Sequence, residues 1–243
     1  MPPVWQKGQV VSIVDETPNT KRFFISVPEL NSFDFKAGQF VTLDLPIHEK
    51  PSKRWRSYSI ASAPDGTNQF ELLISYLEGG AGTHYLFNSV QVGTEMIFRG
   101  PLGVFQLPDQ IDRDIFMICT GTGIAPFRSM TRYLLNQQVA HKQLFLLFGC
   151  RHKADLLYFD EMKQMEKDHP SFHYLPTLSR EEWPGTRGYV HEIYERICGE
   201  AGGPAKYPAL FYLCGWKNMV NEAKQRIMGM GYGKDAIKQE LYG

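Results

Sequence analysis

The chain has 243 residues with 26 basic and 26 acidic side chains, so its formal net charge is zero and nothing global draws it to nucleic acid or an anionic membrane. Hydrophobic residues make up 43% and charged residues 21%, the balance of a soluble globular protein long enough for one large or two small domains. Four cysteines (Cys119, Cys150, Cys198 and Cys214) are widely separated, which speaks against a zinc site and against an iron–sulfur cluster. Reduced thiols in a cytoplasmic protein are the natural reading. Met1-Pro2-Pro3-Val4-Trp5-Gln6-Lys7 lacks the apolar core of a signal peptide, and no apolar run approaches the roughly 18–20 residues of a membrane span. His169 and His173 are four apart but straddle the helix breaker Pro170, so no metal site is expected.

From Gly8 to about Leu107 the chain alternates in short runs broken by turn residues. The runs Gln9–Val14, Thr20–Val27, Gln39–Leu45, Arg56–Ser62, Gln69–Leu77 and Glu95–Phe98 predict six strands of an antiparallel β-barrel, with one helical stretch around Thr83–Val90. From Asp114 the rhythm becomes strand, helix, strand. Apolar runs at Ile115–Cys119, Leu144–Phe148, Phe172–Leu178 and Ala209–Cys214 enclose helical stretches at Pro126–Gln138, Phe159–Asp168, Val190–Ile197 and Met219–Gly229. With a last strand at Ala236–Tyr242, they predict an α/β domain built on a five-stranded parallel sheet, with ligands at the carboxyl ends of its strands. The boundary falls near Pro108-Asp109-Gln110, giving domains 1–108 and 109–243.

Two segments carry the chemistry. Arg56-Ser57-Tyr58-Ser59 puts a cation, an aromatic ring and a hydroxyl on one extended stretch, able to hold a phosphate, stack on a flat ring and hydrogen-bond its edge. By itself it also fits a barrel strand with an exposed arginine and a packed tyrosine. Thr120-Gly121-Thr122-Gly123-Ile124-Ala125-Pro126 follows a buried strand; its glycines let backbone approach a phosphate, and proline suits the first turn of a helix. Pro126 stands where a third glycine of GxGxxG would be, and no Lys-Ser/Thr follows as in a Walker loop. Glu78-Gly79-Gly80-Ala81-Gly82-Thr83 is a second glycine turn opening a helix.

Together with Cys214-Gly215 and the ending Glu240-Leu241-Tyr242-Gly243, these segments stand in the order of the ferredoxin–NADP(H) reductase superfamily, which the chain resembles over nearly its whole length. The resemblance implies that the first domain binds FAD, rather than FMN, and the second NADPH or NADH. In the flavin half, Arg56 would bind the flavin phosphate, Tyr58 pack on the isoalloxazine and Ser59 lie near N5, with Gly82 and Thr83 at the diphosphate. In the nucleotide half, Thr120, Gly121, Gly123 and Pro126 form the nucleotide turn, and Arg151 approaches the nucleotide. Ser179 and Arg180, with Arg187 nearby, match the segment that grips a 2′-phosphate, which favours NADPH over NADH. Cys214 and Gly215 would pack against the nicotinamide, Glu240 would tune charge or relay a proton, and Tyr242, followed here by Gly243, would stack on the isoalloxazine.

The implied activity is hydride transfer from the nicotinamide to flavin N5, with Ser59, Cys214 and Glu240 around the transfer centre, then single electrons to a separate acceptor. The expected acceptor is a small acidic ferredoxin or a flavodoxin, attracted by a basic rim of Lys50, Lys53 and Arg54 beside the flavin strand. Two alternatives stay open: an NADH-dependent reductase feeding an oxygenase, a haem protein or free flavin, and a non-catalytic nucleotide-binding subunit.

Overall fold

Period-two alternation and a high content of β-branched and aromatic residues make the first half a succession of strands, each burying one face. The computed structural model describes residues 4–202 and 206–242. Its first strands are β1 (Trp5–Thr17), β2 (Thr20–Ser26), β3 (Phe40–Asp44), β4 (Trp55–Ser59), β5 (Gln69–Ser75) and β6 (Glu95–Leu102), with helix α1 (Ala81–Asn88) between β5 and β6. They pair antiparallel in the order β4-β3-β6-β1-β2-β5. A bridge between Ile60 and Leu72, with Ala61 N–H donating to Glu71 O at 2.8 Å, joins the end of β4 to β5 and closes the sheet into a barrel. Phe33, Phe70 and Phe98 meet at the centre of its core with ring centroids 4.9–5.7 Å apart.

The second half alternates β7 (Asp114–Thr120), α2 (Ile124–Asn136), β8 (Leu144–Cys150), α3 (Phe159–Asp168), β9 (Phe172–Leu178), β10 (Thr186–Arg187), α4 (His191–Gly202), β11 (Ala209–Trp216), α5 (Lys217–Gly229) and β12 (Ile237–Tyr242). Its strands run parallel in the order β10-β9-β8-β7-β11-β12. The central strands are buried on both faces and therefore read as unbroken apolar runs. The expected five strands become six, because β10 adds two residues opposite Thr177 and Leu178. Two exposed residues carry no alternation that a sequence reading could detect.

The chain divides into two compact units. One takes in the chain to Leu107 together with Ala125–Tyr133; the other takes in Pro108–Ile124 and the chain from Leu134 onward. In the first unit Arg128, only 1% exposed, donates from Nη1 to Glu71 Oε2 and to Ala61 O, both at 2.9 Å. Arg22 donates to the other oxygen of the same buried carboxylate at 2.7 Å. Among the described residues no helix is long and apolar enough to cross a membrane.

Candidate functional site

Strand β4 lies at the end of the barrel sheet, with Arg56 opposite Leu43 and Tyr58 opposite Val41, so these two side chains share a face while Ser57 and Ser59 take the other. Arg56 Nη1 donates to the carbonyls of Lys53 at 3.0 Å and Trp55 at 2.8 Å, and the stem of the side chain lies across Gly82. A Cβ at Gly82 would sit 3.1 Å from Arg56 Cγ and 3.2 Å from Nε, closer than ordinary contact, so the bare residue gives this side chain room beside the start of α1. There Gly80 caps the helix with no side chain, and the first helical bond is His84 N–H to Gly80 O, leaving the N–H groups of the first turn ahead of it. A cation beside the positive end of a helix dipole is a ready anion site, which fits a flavin diphosphate.

The Thr83 hydroxyl is held within the glycine turn. It donates to Leu77 O and Gly80 O and accepts from Leu77 N–H, all at 3.1 Å, stapling the glycine turn shut. Only its main-chain N–H is left to meet a phosphate. Burial pushes the Tyr58 hydroxyl up to about 12, with Arg56 pulling the other way, so the ring stays neutral as a stacking surface should. Ser59 is buried. An open cleft of about 390 Å³ beside α1, lined by Ile47, Tyr76, Gly80, Ala81, His84 and Tyr85, escaped the sequence reading. Its signal was the exposed Tyr76 just past β5.

The expected basic rim is thinner than its sequence. Arg54 donates from Nε and Nη2 to both oxygens of Asp44 at 2.7 and 2.5 Å, a bidentate pair that spends its charge within the barrel. Lys50 and Lys53 remain exposed.

Strand β7 ends at Thr120 and turns through Gly121 (φ +54°) and Gly123 into α2, with Pro126 third in that helix, where no intrahelical N–H is lost. The turn packs on the end of β11. A Cβ at Gly123 would be 2.4 Å from Cys214 O, and one at Gly215 (φ +137°) would be 2.5 Å from Thr120 Oγ1. Trp216 N–H donates to Thr120 Oγ1 at 3.3 Å. The result is a shelf of bare backbone at the carboxyl ends of adjacent parallel strands, which fits a dinucleotide phosphate.

Arg151 follows β8, and Ser179 and Arg180 follow β9. Ser179 N–H donates to Cys150 O and Arg180 N–H to Arg151 O, each at 3.0 Å, so neighbouring strand ends bring the two exposed arginines side by side. The Ser179 hydroxyl donates to Cys150 O at 3.2 Å. Arg187, on the exposed strand β10, pairs with Glu182 at 2.8 Å.

Parallel pairing of β11 with β12 sets Cys214 opposite Glu240 and Trp216 opposite Tyr242. Cys214 is fully buried, and the Tyr242 side chain hydrogen-bonds its thiol. Burial, with Glu240 adding to it, raises this thiol well above its ordinary 9.0, so it is a neutral group and no nucleophile. Cys214, Gly215, Glu240 and Tyr242 are thus brought together in the second unit, whereas Ser59 belongs to the first. Gly243 lies outside the described residues. Arg128 and Trp216 were not singled out by sequence; a tryptophan directly after the Gly at a strand end was the available signal for the second.

Known proteins resemble both halves of this chain. Residues 7–107 match the family model described as an oxidoreductase FAD-binding domain, and residues 117–225 the one described as an oxidoreductase NAD-binding domain. The chain is 33% identical over 243 residues to ferredoxin–NADP reductase B of Sorangium cellulosum, covering 97% of both chains. It is 29% identical to the phenol 2-monooxygenase reductase component DmpP of Pseudomonas sp. strain CF600, covering 97% of this chain and 65% of that one. A ferredoxin–NADP+ reductase from Neisseria gonorrhoeae, solved with bound FAD and NADP, superposes with a TM-score of 0.82 at 26% identity over 98% of each chain. Barrel, parallel sheet, matching domains and full-length similarity lead to one conclusion: the chain belongs to the ferredoxin–NADP(H) reductase superfamily, and is an FAD-dependent oxidoreductase that uses NAD(P)H.

Proposed function

We propose that this protein draws electrons from NADPH in preference to NADH and delivers them to a separate small acidic protein, a ferredoxin or a flavodoxin. The observation that carries the nucleotide preference is the pairing of Arg151 and Arg180 at adjacent strand ends, two exposed guanidinium groups that a 2′-phosphate dianion would bridge. Arg187, already paired with Glu182, contributes less.

Residues 1–108 hold the flavin in this reading and residues 109–243 the nucleotide. Arg56 and the main-chain N–H groups at Gly82 and Thr83 bind the flavin phosphates, Tyr58 offers its neutral ring, and Ser59 supplies a hydroxyl at the ring edge. When bound, the flavin supplies the redox chemistry, taking a hydride from NAD(P)H at N5 and giving up electrons singly. Thr120, Gly121, Gly123 and Pro126 seat the nucleotide phosphates. Cys214 and Gly215 shape the nicotinamide end, Glu240 sets the local charge, and Tyr242 covers the Cys214 thiol until a ring displaces it. Orientation and exclusion of water are the protein's contribution.

Exposed Lys50 and Lys53 support an acidic partner, and the name of the Sorangium relative supports ferredoxin. The monooxygenase reductase relatives favour a second reading, in which an oxygenase component receives the electrons. The four free cysteines support a cytoplasmic location. The nucleotide assignment is tested by titrating the protein with NADP+ and NAD+ before and after Arg180→Ala. The expected result is a ten- to hundredfold weaker grip on NADP+ with NAD+ unchanged; equal losses for both would remove Arg180 from 2′-phosphate recognition.

A further inference from the structure

The chain has four tryptophans, and three are engaged. Trp5 and Trp55 flank the Arg99 guanidinium at 5.0 and 4.5 Å from their ring centroids, and Trp183 Nε1 donates to Thr186 O at 2.7 Å. Trp216 differs. It is 64% exposed, and among the described residues its indole has neither a ring partner nor an acceptor on Nε1. Its backbone is nevertheless held firmly, by pairing in β11 and by the N–H bond to Thr120 Oγ1.

The indole lies beside the nucleotide turn. Gly121 has φ +54° and an open face, and the one atom from beyond its chain neighbours within 4 Å of a Cβ built there is Trp216 Nε1, at 3.9 Å. An indole N–H is a donor only, and a large apolar ring kept in water is unfavourable unless something covers it. A bare-backbone shelf and a lone N–H donor facing its open side make complementary halves of an anion site.

We propose that Trp216 is a binding residue for the dinucleotide, donating its Nε1–H to an oxygen of the diphosphate that links the two halves of NAD(P)H. This rests on the reading of the Gly121–Gly123 turn as the nucleotide shelf. Because the diphosphate is common to NADPH and NADH, Trp216 acts on both alike, unlike Arg180, which reads the 2′-phosphate.

Calorimetric titration of the FAD-loaded protein tests this with NADP+, NAD+ and adenosine 2′-monophosphate, which lacks the diphosphate. Trp216→Phe keeps the ring and removes the donor. It should weaken NADP+ and NAD+ by the same factor, about tenfold, and leave adenosine 2′-monophosphate unchanged. Wild-type binding with unaltered affinity in the variant overturns the role of Trp216 while leaving the shelf in place. A loss that extends to the monophosphate shows a general disturbance of the site and overturns it too. Failure of the wild type to bind either dinucleotide overturns both the shelf and the inference.

Discussion

Gly123→Ala should damage this protein more than Gly121→Ala, two residues earlier in the same turn. The added methyl would sit 2.4 Å from Cys214 O, 2.7 Å from the Cys214 carbonyl carbon and 2.9 Å from Gly215 N. Ordinary carbon contacts are about 3.5–4.0 Å, so the overlap is roughly 1 Å. All three obstacles are backbone atoms of β11, a strand paired on both sides, so no side chain can swing away. Overpacking of a rigid site costs about 1–3 kcal/mol, and a backbone-on-backbone clash belongs at the upper end. At about 2–4 °C per kcal/mol for a chain of this length, the melting temperature should fall by about 6–12 °C. Gly121→Ala provides the contrast. Its methyl meets nothing nearer than 3.9 Å, and only the left-handed backbone is unfavourable for alanine, by about 1–2 kcal/mol. Scanning calorimetry should therefore rank Gly123→Ala well below Gly121→Ala, and titration should show weaker NADP+ binding in Gly123→Ala as β7 and β11 are wedged apart. A Gly123→Ala melt within 2 °C of wild type, or above that of Gly121→Ala, would refute the close-approach argument.

Arg128→Met leaves the Glu71 carboxylate buried with Arg22 as a remaining partner, and urea unfolding should show a loss of about 3 kcal/mol; a loss under 1 kcal/mol would mean that Arg22 alone satisfies it. Burial raises the Cys119 and Cys214 thiols well above 9.0, and that of the Tyr58 hydroxyl to about 12. The unfolded chain therefore loses these protons first, so stability is full below about pH 9 and declines as pH rises beyond it. A denaturation midpoint that held steady or rose from pH 9 to 11 would contradict this assignment. Charge reversal at Lys50 and Lys53 should flatten the salt dependence of ferredoxin reduction without moving the melting temperature, whereas Arg54→Glu should lower that temperature by placing a second carboxylate against Asp44. An unaltered salt profile in the double lysine variant would dismiss the acidic-partner surface.

Much of this architecture is legible in sequence because local periodicity and burial agree. The bounds Phe172–Leu178 and Phe159–Asp168 match to the residue, since an unbroken apolar run and an amphipathic stretch each carry a clear period. Strand β1 runs well beyond Gln9–Val14, because register shifts near Val10–Ser12 and Asp15–Thr17 interrupt its alternation. The shortest strand, β10, depends on partners in β9 and has no local signal. What the motifs could not disclose was the engagement of side chains by distant residues. The Thr83 hydroxyl reaches back to Leu77, Arg54 across to the neighbouring strand at Asp44, and Arg187 to Glu182, contacts that no motif announces. Trp216 is the reverse case, a residue with no motif whose importance emerges only when β11 sets it over Gly121.

The central claim, that this chain takes electrons from NADPH onto a bound flavin, is tested most directly by anaerobic stopped-flow bleaching of the flavin absorption of the purified protein. NADPH and NADH are compared side by side. Fast bleaching is expected with both and faster bleaching with NADPH at limiting concentration, the advantage vanishing in Arg180→Ala. Protein that carries flavin but is bleached by neither nucleotide would contradict the account.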